Sequence, residues 1–273
     1  MCPKNKAKTK LGAFVEITKF IDKWNMIDKT YLADGGDSAA KTGAYFSLMG
    51  MLSPSQKKKW EEKSQRDTKE WFDAIVPKYH PTPGVILRHI NTEWDSSDFD
   101  RHSRDQIQPN IIAFGYWSER ELRRMAWGHL KRGFIFTGNV RQNGATKRNH
   151  GKNGYSYAWR FPDITGPEVW GNFIRSYRAW LLWPALLLFD LELLGSAINW
   201  RFFKKNNIAI NHTLSQLQAL DRLPTPWAWL ASKIMPVPRL IELCRGHWTD
   251  FGVGEDTEFL ADMMQDAYSN IRK

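Results

Sequence analysis

The sequence predicts a mainly α-helical protein, and three observations support this. Apolar residues recur at intervals of three and four along most of the chain, which is the period of an amphipathic helix. Residues that cap helices precede several of these segments. Only residues 133–162 combine spaced aromatic side chains with a Gly-rich turn, which predicts one small β-hairpin. We therefore expect packed helical hairpins, as an irregular bundle, in a single domain over residues 11–273.

Composition limits the class of protein and its partners. The 273 residues are 42% hydrophobic and 25% charged, which excludes a disordered chain, a collagen and a multi-span membrane protein. Two cysteines exclude a disulfide scaffold and a four-cysteine zinc site. The net charge of +10 favours an anionic partner, such as an acidic glycan or lipid headgroups. No nucleic-acid-binding motif is present, so nucleic acid is not the expected partner.

The N-terminal arm, residues 1–10, is basic and polar. It is expected to dock on partner proteins in an assembly. No apolar run adjoins it, so we expect no cleavable signal peptide and a cytoplasmic or virion-associated location. The lysines of this arm are Lys4, Lys6, Lys8 and Lys10.

The helices of the first half are predicted from apolar stripes and caps. Ser38 can cap a helix after the Gly-rich break, and Ser53 can cap the next one with Pro54 at its first position. Residues 77–102 have no period and contain three prolines, which predicts a long loop or lid. The predicted helices are residues 11–32, 38–51, 54–65 and 67–76.

The second half begins with two capped helices. Ser103 can cap the first, and Ser118 with Glu121 forms a capping box for a helix over 119–131. Residues 138–154, at the tip of the predicted hairpin, are rich in Gly, Asn, Arg and Lys. Such a tip suits phosphates or sugars, or is a solvated turn. The remaining predicted helices are residues 168–204, 211–221, 226–235, 237–245 and 255–271.

Residues 179–200 form an apolar run long enough to cross a membrane. Its eight leucines contribute about −4 kcal/mol on an insertion scale, whereas Asp190 and Glu192 together cost about +5 to +7 kcal/mol. We therefore predict the central helix of a soluble core, in which both acids are paired. Binding to a membrane surface is the alternative, because the three tryptophans of the run suit an interface.

The first candidate site is the segment 34–43, at a predicted helix start. It approaches a phosphate-binding loop, but Ala40 stands where that motif requires its second glycine. Two interpretations stay open. One is a tight turn with a helix cap, and the other is a polar site in which Asp34 and Asp37 face a cleft.

The second candidate site is Ser103-Arg104-Asp105-Gln106, which opens an apolar helix. A buried ion pair between Arg104 and Asp34 or Asp37 is the structural alternative. The preceding residues 89–102 carry four acids and two histidines, but the spacing of a calcium loop is missing and the histidines are scattered. We therefore expect no metal and no other cofactor.

The chain resembles uncharacterised proteins of bacteria and their phages in several short motifs, over about residues 34–236. This resemblance carries no activity with it. An all-α chain with acids at helix starts is also similar, at the level of fold, to α/α-toroid glycan-active proteins, here as an incomplete ring. The motifs are Gly36-Asp37-Ser38, Thr42-Gly43, Arg88-His89, Ser103 to Gln106, Trp159 to Asp163, the Asp190 helix and Pro224-Thr225-Pro226.

We therefore expect a protein that binds or cleaves an anionic or neutral glycan, as a phage virion component. Glycoside hydrolase-like cleavage needs two carboxyl groups about 5 Å or about 6.5–9.5 Å apart. Asp37 and Asp105 are the expected pair, Asp34 is the reserve, and Arg104 orients a carboxylate. The alternatives are a structural or adaptor subunit and a peripheral membrane protein using residues 179–200. The further residues expected to bind sugar are Arg88, His89, Trp94, His102 and Trp159.

Overall fold

The computed structural model describes residues 38–87, 104–131, 167–203, 210–246 and 255–272. Within these ranges the chain forms eleven α-helices and no strand, so the predicted mainly α class is confirmed. The predicted arm, the helix over 11–32, most of the long loop and the hairpin over 133–162 lie outside the described residues. The helices are α1 Ser38–Met51, α2 Pro54–Ser64, α3 Thr68–Tyr79, α4 Arg104–Trp117, α5 Glu119–Lys131, α6 Pro167–Ser176, α7 Trp183–Phe203, α8 Ile210–Asp221, α9 Pro226–Ile234, α10 Val237–Gly246 and α11 Glu255–Ile271.

Local capping chemistry explains the helix starts that were predicted correctly. The Ser53 side chain accepts a hydrogen bond from the Gln56 amide, and the Gln56 side chain accepts one from the Ser53 amide at 3.0 Å. At α5 the Ser118 hydroxyl accepts from the Glu121 amide at 3.4 Å. These bonds satisfy amides that have no partner within the helix, and they involve neighbours in sequence only.

Two predicted boundaries are wrong. Helix α3 continues through Pro77 to Tyr79, because a proline near the end of a helix removes only one backbone hydrogen bond. The helix predicted over 168–204 is two helices, because Arg178 adopts a left-handed conformation with φ of 51°. A 3₁₀ turn, Trp180–Leu182, then leads into α7.

The largest core is formed mainly by α1 to α4 and α11. It is rich in aromatic side chains, with the rings of Phe46 and Trp71 4.9 Å apart and those of Trp60 and Phe259 5.1 Å apart. Two smaller cores hold α7 against its neighbours. One joins Leu186 to Ile174 and Leu223, and the other joins α7 to α9 and α10. Helix α7 is therefore attached along its length to the rest of the helices.

His80 follows the last residue of α3 and packs on Phe114 of α4. We expect this histidine to make the stability of the fold depend on pH. It is fully buried, its Nδ1 lies 2.8 Å from the Val85 carbonyl oxygen, and its Nε2 lies 3.6 Å from Glu121. Burial lowers the pKa of His80 from 6.5 to about 4, and the neighbouring Arg124 adds to this while Glu121 opposes it. Between these two pH values the unfolded chain binds a proton that the folded protein does not.

We expect the free energy of unfolding to fall as the pH is lowered from 6.5 towards 4. The stabilisation associated with neutral His80 is fully present above pH 6.5. About 2 kcal/mol of it is lost at pH 5. Urea unfolding at pH 7 and pH 5, compared between the parent and His80→Asn, isolates this contribution. An equal change in both proteins would contradict it.

Candidate functional site

Helices α1 and α4 pack in parallel, which brings their N-termini to one end of the pair. The Asn110 side chain donates to the Ala39 carbonyl at 2.9 Å and to the Gln106 carbonyl at 2.7 Å, so it joins the first turns of both helices. At the other end the Trp117 indole donates to the Phe46 carbonyl at 2.7 Å. A Cβ added to Gly43 would lie 2.8 Å from the Asn110 side chain, so only glycine permits this close approach.

The predicted catalytic segments adjoin this shared end, but the site itself is not described. Helix α1 begins directly after Asp37, and Asp105 lies in the first turn of α4. Asp34 and Asp37 lie outside the described residues, as do the side chains of Arg104 and Asp105. The same holds for Arg88, His89, Trp94, His102 and Trp159, so their predicted roles stay predictions.

The described residues next to this end are buried. Ala39 to Gly43 on α1 and Gln106 to Asn110 on α4 are all enclosed, including Lys41, which is 2% exposed.

The structure contains a buried polar cluster around α8 that was not predicted from the sequence. Every residue from Ile210 to Ala219 is buried. The Asn172 amide donates to Ser215 at 2.8 Å, and the Gln218 amide donates to Ser176 at 2.8 Å. These bonds connect α6 to α8, and Gln108 extends them to α4. In the sequence, amide and hydroxyl residues occur on every face of α8. No single face is therefore marked as the one exposed to water.

Two ionisable groups in the same region are enclosed. Glu168 and His212 are both buried, with 3.6 Å between Oε1 and Nδ1. Burial raises the pKa of the Cys244 thiol to about 11, so it stays protonated at neutral pH and is not a nucleophile. The described residues include no group of three or more His, Cys, Asp or Glu side chains placed to hold a metal.

Both acids of α7 have hydrogen-bond partners on neighbouring elements. Asp190 is 2% exposed and accepts hydrogen bonds from Arg175 of α6 and from Thr225, which also caps α9. Glu192 accepts from the Glu168 amide at 3.2 Å, at the N-terminus of α6. Pairing offsets part of the cost of burying Asp190, and Glu192 is only partly buried.

The outward side of α7 is exposed and mostly apolar, with Asn199 as its one exposed uncharged polar residue. Leu181 is 96% exposed, Leu188 is 68% exposed and Phe202 is 70% exposed. Seven of the exposed positions, the first of them in the 3₁₀ turn before α7, recur at alternating intervals of three and four and form one apolar stripe. We call this stripe the outer face. Its residues are Leu181, Pro184, Leu188, Leu191, Gly195, Ile198 and Phe202.

The prediction that residues 179–200 form a central, buried helix is therefore wrong for the outer face of α7. The segment Trp180–Phe202 is long and apolar enough to cross a membrane, and only 28% of its most apolar stretch is buried. Its exposed large side chains present on the order of 1,000 Å² of apolar surface, against roughly 300–600 Å² for the largest patch on a typical soluble monomer. A surface of this size indicates an interaction site.

The exposed charged residues beside the outer face are both basic. From Arg178 to Arg201 these two arginines are the only exposed charged residues, since Asp190 is buried and Glu192 is partly buried. They flank the apolar stripe at its two ends. Helix α9, which packs on α7, adds an exposed tryptophan, Trp229, with the Lys233 ammonium 5.3 Å from its ring.

Comparison with known proteins assigns no family. No family model matches the chain, and neither the curated proteins nor the solved structures gave a match.

Proposed function

We propose that the protein is a peripheral membrane protein that binds the bilayer surface through the outer face of α7. The observation that carries this proposal is a helix-long exposed apolar stripe without a charged side chain, with Asn199 as the one exposed uncharged polar residue beside it. Burying an apolar side chain in the acyl region contributes about 1.5–3 kcal/mol. Tryptophan and arginine at the ends of such a helix suit the headgroup region.

The packing of α7 favours a helix that lies in the plane of the interface. Its inner face packs on α6 and α9 through both smaller cores, and Trp200 contacts His212 of α8. A spanning orientation would carry these neighbours into the hydrocarbon, including the exposed Lys233 of α9. A lysine at the centre of a bilayer costs about 2.5–3.5 kcal/mol on an insertion scale. A flat orientation buries only the outer face.

Charge argues against a second copy of the chain as the occupant. In an antiparallel pair of α7 helices, Arg178 of one copy would meet Arg201 of the other, and in a parallel pair each arginine would meet itself. The exposed residues of this helix offer no acid to compensate. Like charges at both ends disfavour such an interface.

The direct test is flotation of the purified protein with phosphatidylcholine vesicles and with vesicles that also contain phosphatidylserine. Recovery in the floating fraction with either composition is the expected result. Failure to float with both would overturn the proposal. Light scattering measures the oligomeric state of the protein without vesicles. A dimer that does not bind vesicles would indicate that a second copy of the chain covers the outer face.

Glycan binding or cleavage at the end shared by α1 and α4 is the second candidate function. It is supported by the parallel packing that brings two acid-bearing segments to the same end of the helix pair. If Asp37 and Asp105 are catalytic carboxylates, Asp37→Asn and Asp105→Asn should each abolish release of sugar from polysaccharide or peptidoglycan. Asp73→Asn, an exposed acid on α3, is the control. Release at the parental rate by both site variants would exclude this function.

A further inference from the structure

The two exposed arginines beside the outer face extend the proposed function to a class of lipid. Arg178 lies two residues before the exposed Trp180, and Arg201 directly precedes the exposed Phe202. The segment between them spans about 34 Å at 1.5 Å per residue. A helix that lies flat would therefore place a cation at the headgroup level at each end of its apolar stripe.

Neither arginine has an acidic neighbour among the charged groups of this segment. Asp190 is committed to Arg175 and Thr225 on the inner face, and Glu192 is committed to the backbone at the start of α6. By contrast, the buried Arg175 has its own acid. Among the described residues neither arginine forms an ion pair, so both can take an anion supplied from outside.

We propose that the outer face of α7 binds bilayers that contain acidic phospholipids, with Arg178 and Arg201 contacting the anionic headgroups. This inference rests on the proposed membrane function and names its lipid class. The net charge of +10 over the whole chain acts in the same direction. An anionic leaflet attracts each basic residue near its surface strongly enough to raise the partition coefficient about fivefold, so two arginines give about 25-fold.

The test compares two vesicle compositions, phosphatidylcholine alone and phosphatidylcholine with about one-third phosphatidylserine. We expect the parent protein to partition more strongly onto the anionic vesicles, and Arg178→Gln with Arg201→Gln to lose about 25-fold on these vesicles only. High salt should weaken parental binding for the same reason. The control is Arg120→Gln with Arg123→Gln, which removes two exposed arginines of α5.

The outcomes separate this inference from the function on which it rests. Equal partitioning of the parent onto both compositions would leave membrane binding intact and overturn the lipid class. An equal loss in the Arg178/Arg201 variant and its control would also overturn the assignment of these two arginines. Absence of binding to both compositions would overturn the membrane function as well. Thermal unfolding of each variant verifies that the fold is intact.

Discussion

Replacing two leucines of the outer face by glutamate should abolish membrane binding while the fold stays intact. Leu181 and Leu188 are 96% and 68% exposed, so the substitutions remove little packing in the free protein. In the bound state each would lose the roughly 1.5–3 kcal/mol of a buried leucine and place a carboxylate in the acyl region. The partition coefficient of Leu181→Glu with Leu188→Glu should fall at least about 100-fold.

Leu130 provides the matched control for this experiment. It is a leucine on α5 with 51% exposure, and it does not belong to the outer face. Leu130→Glu should float with vesicles as the parent does, and both proteins should keep the parental melting temperature. If the double variant still floats, or if Leu130→Glu is equally impaired, the outer face is not the membrane contact.

Removing Asp190 should cause the largest loss of stability of any substitution on α7. Arg175 is 1% exposed, and its guanidinium would lose the acid that compensates its charge. Breaking a buried ion pair in this way costs about 3–5 kcal/mol. Because Asp190 also accepts from the hydroxyl that caps α9, its loss weakens the contact of α7 with both neighbours. Asp190→Ala should lower the melting temperature by about 10 °C.

Two further variants make this stability prediction specific. Asp73→Ala breaks an exposed pair with Lys69 and should cost less than about 1 kcal/mol. Combining Arg175→Met with Asp190→Leu removes both charges and should recover most of the loss, because the penalty comes from a single uncompensated charge. Circular dichroism during thermal unfolding measures all three. A melting temperature for Asp190→Ala equal to that of the parent would contradict the assigned role of the ion pair.

Sequence reasoning succeeded where the forces are local. The helix over 119–131 has its predicted bounds because Ser118 and Glu121, three residues apart, define its start. Ser53 and Pro54 define the start of α2 in the same way. Arg178 was missed because its left-handed conformation is rare for a residue with a side chain and has no signal in the sequence. The catalytic roles of Asp37 and Asp105 stay predictions.

The sequence by itself determined the helical class, most helix starts and the apolar character of residues 179–200, because each depends on residues a few positions apart. Only the tertiary structure decided which side of α7 faces outwards. The apolar side chains of α7 are distributed over all sides of the helix, so their spacing does not select a buried face. The choice is made by Arg175 and Thr225, which lie on other elements and can bind Asp190 only when α7 turns that residue inwards.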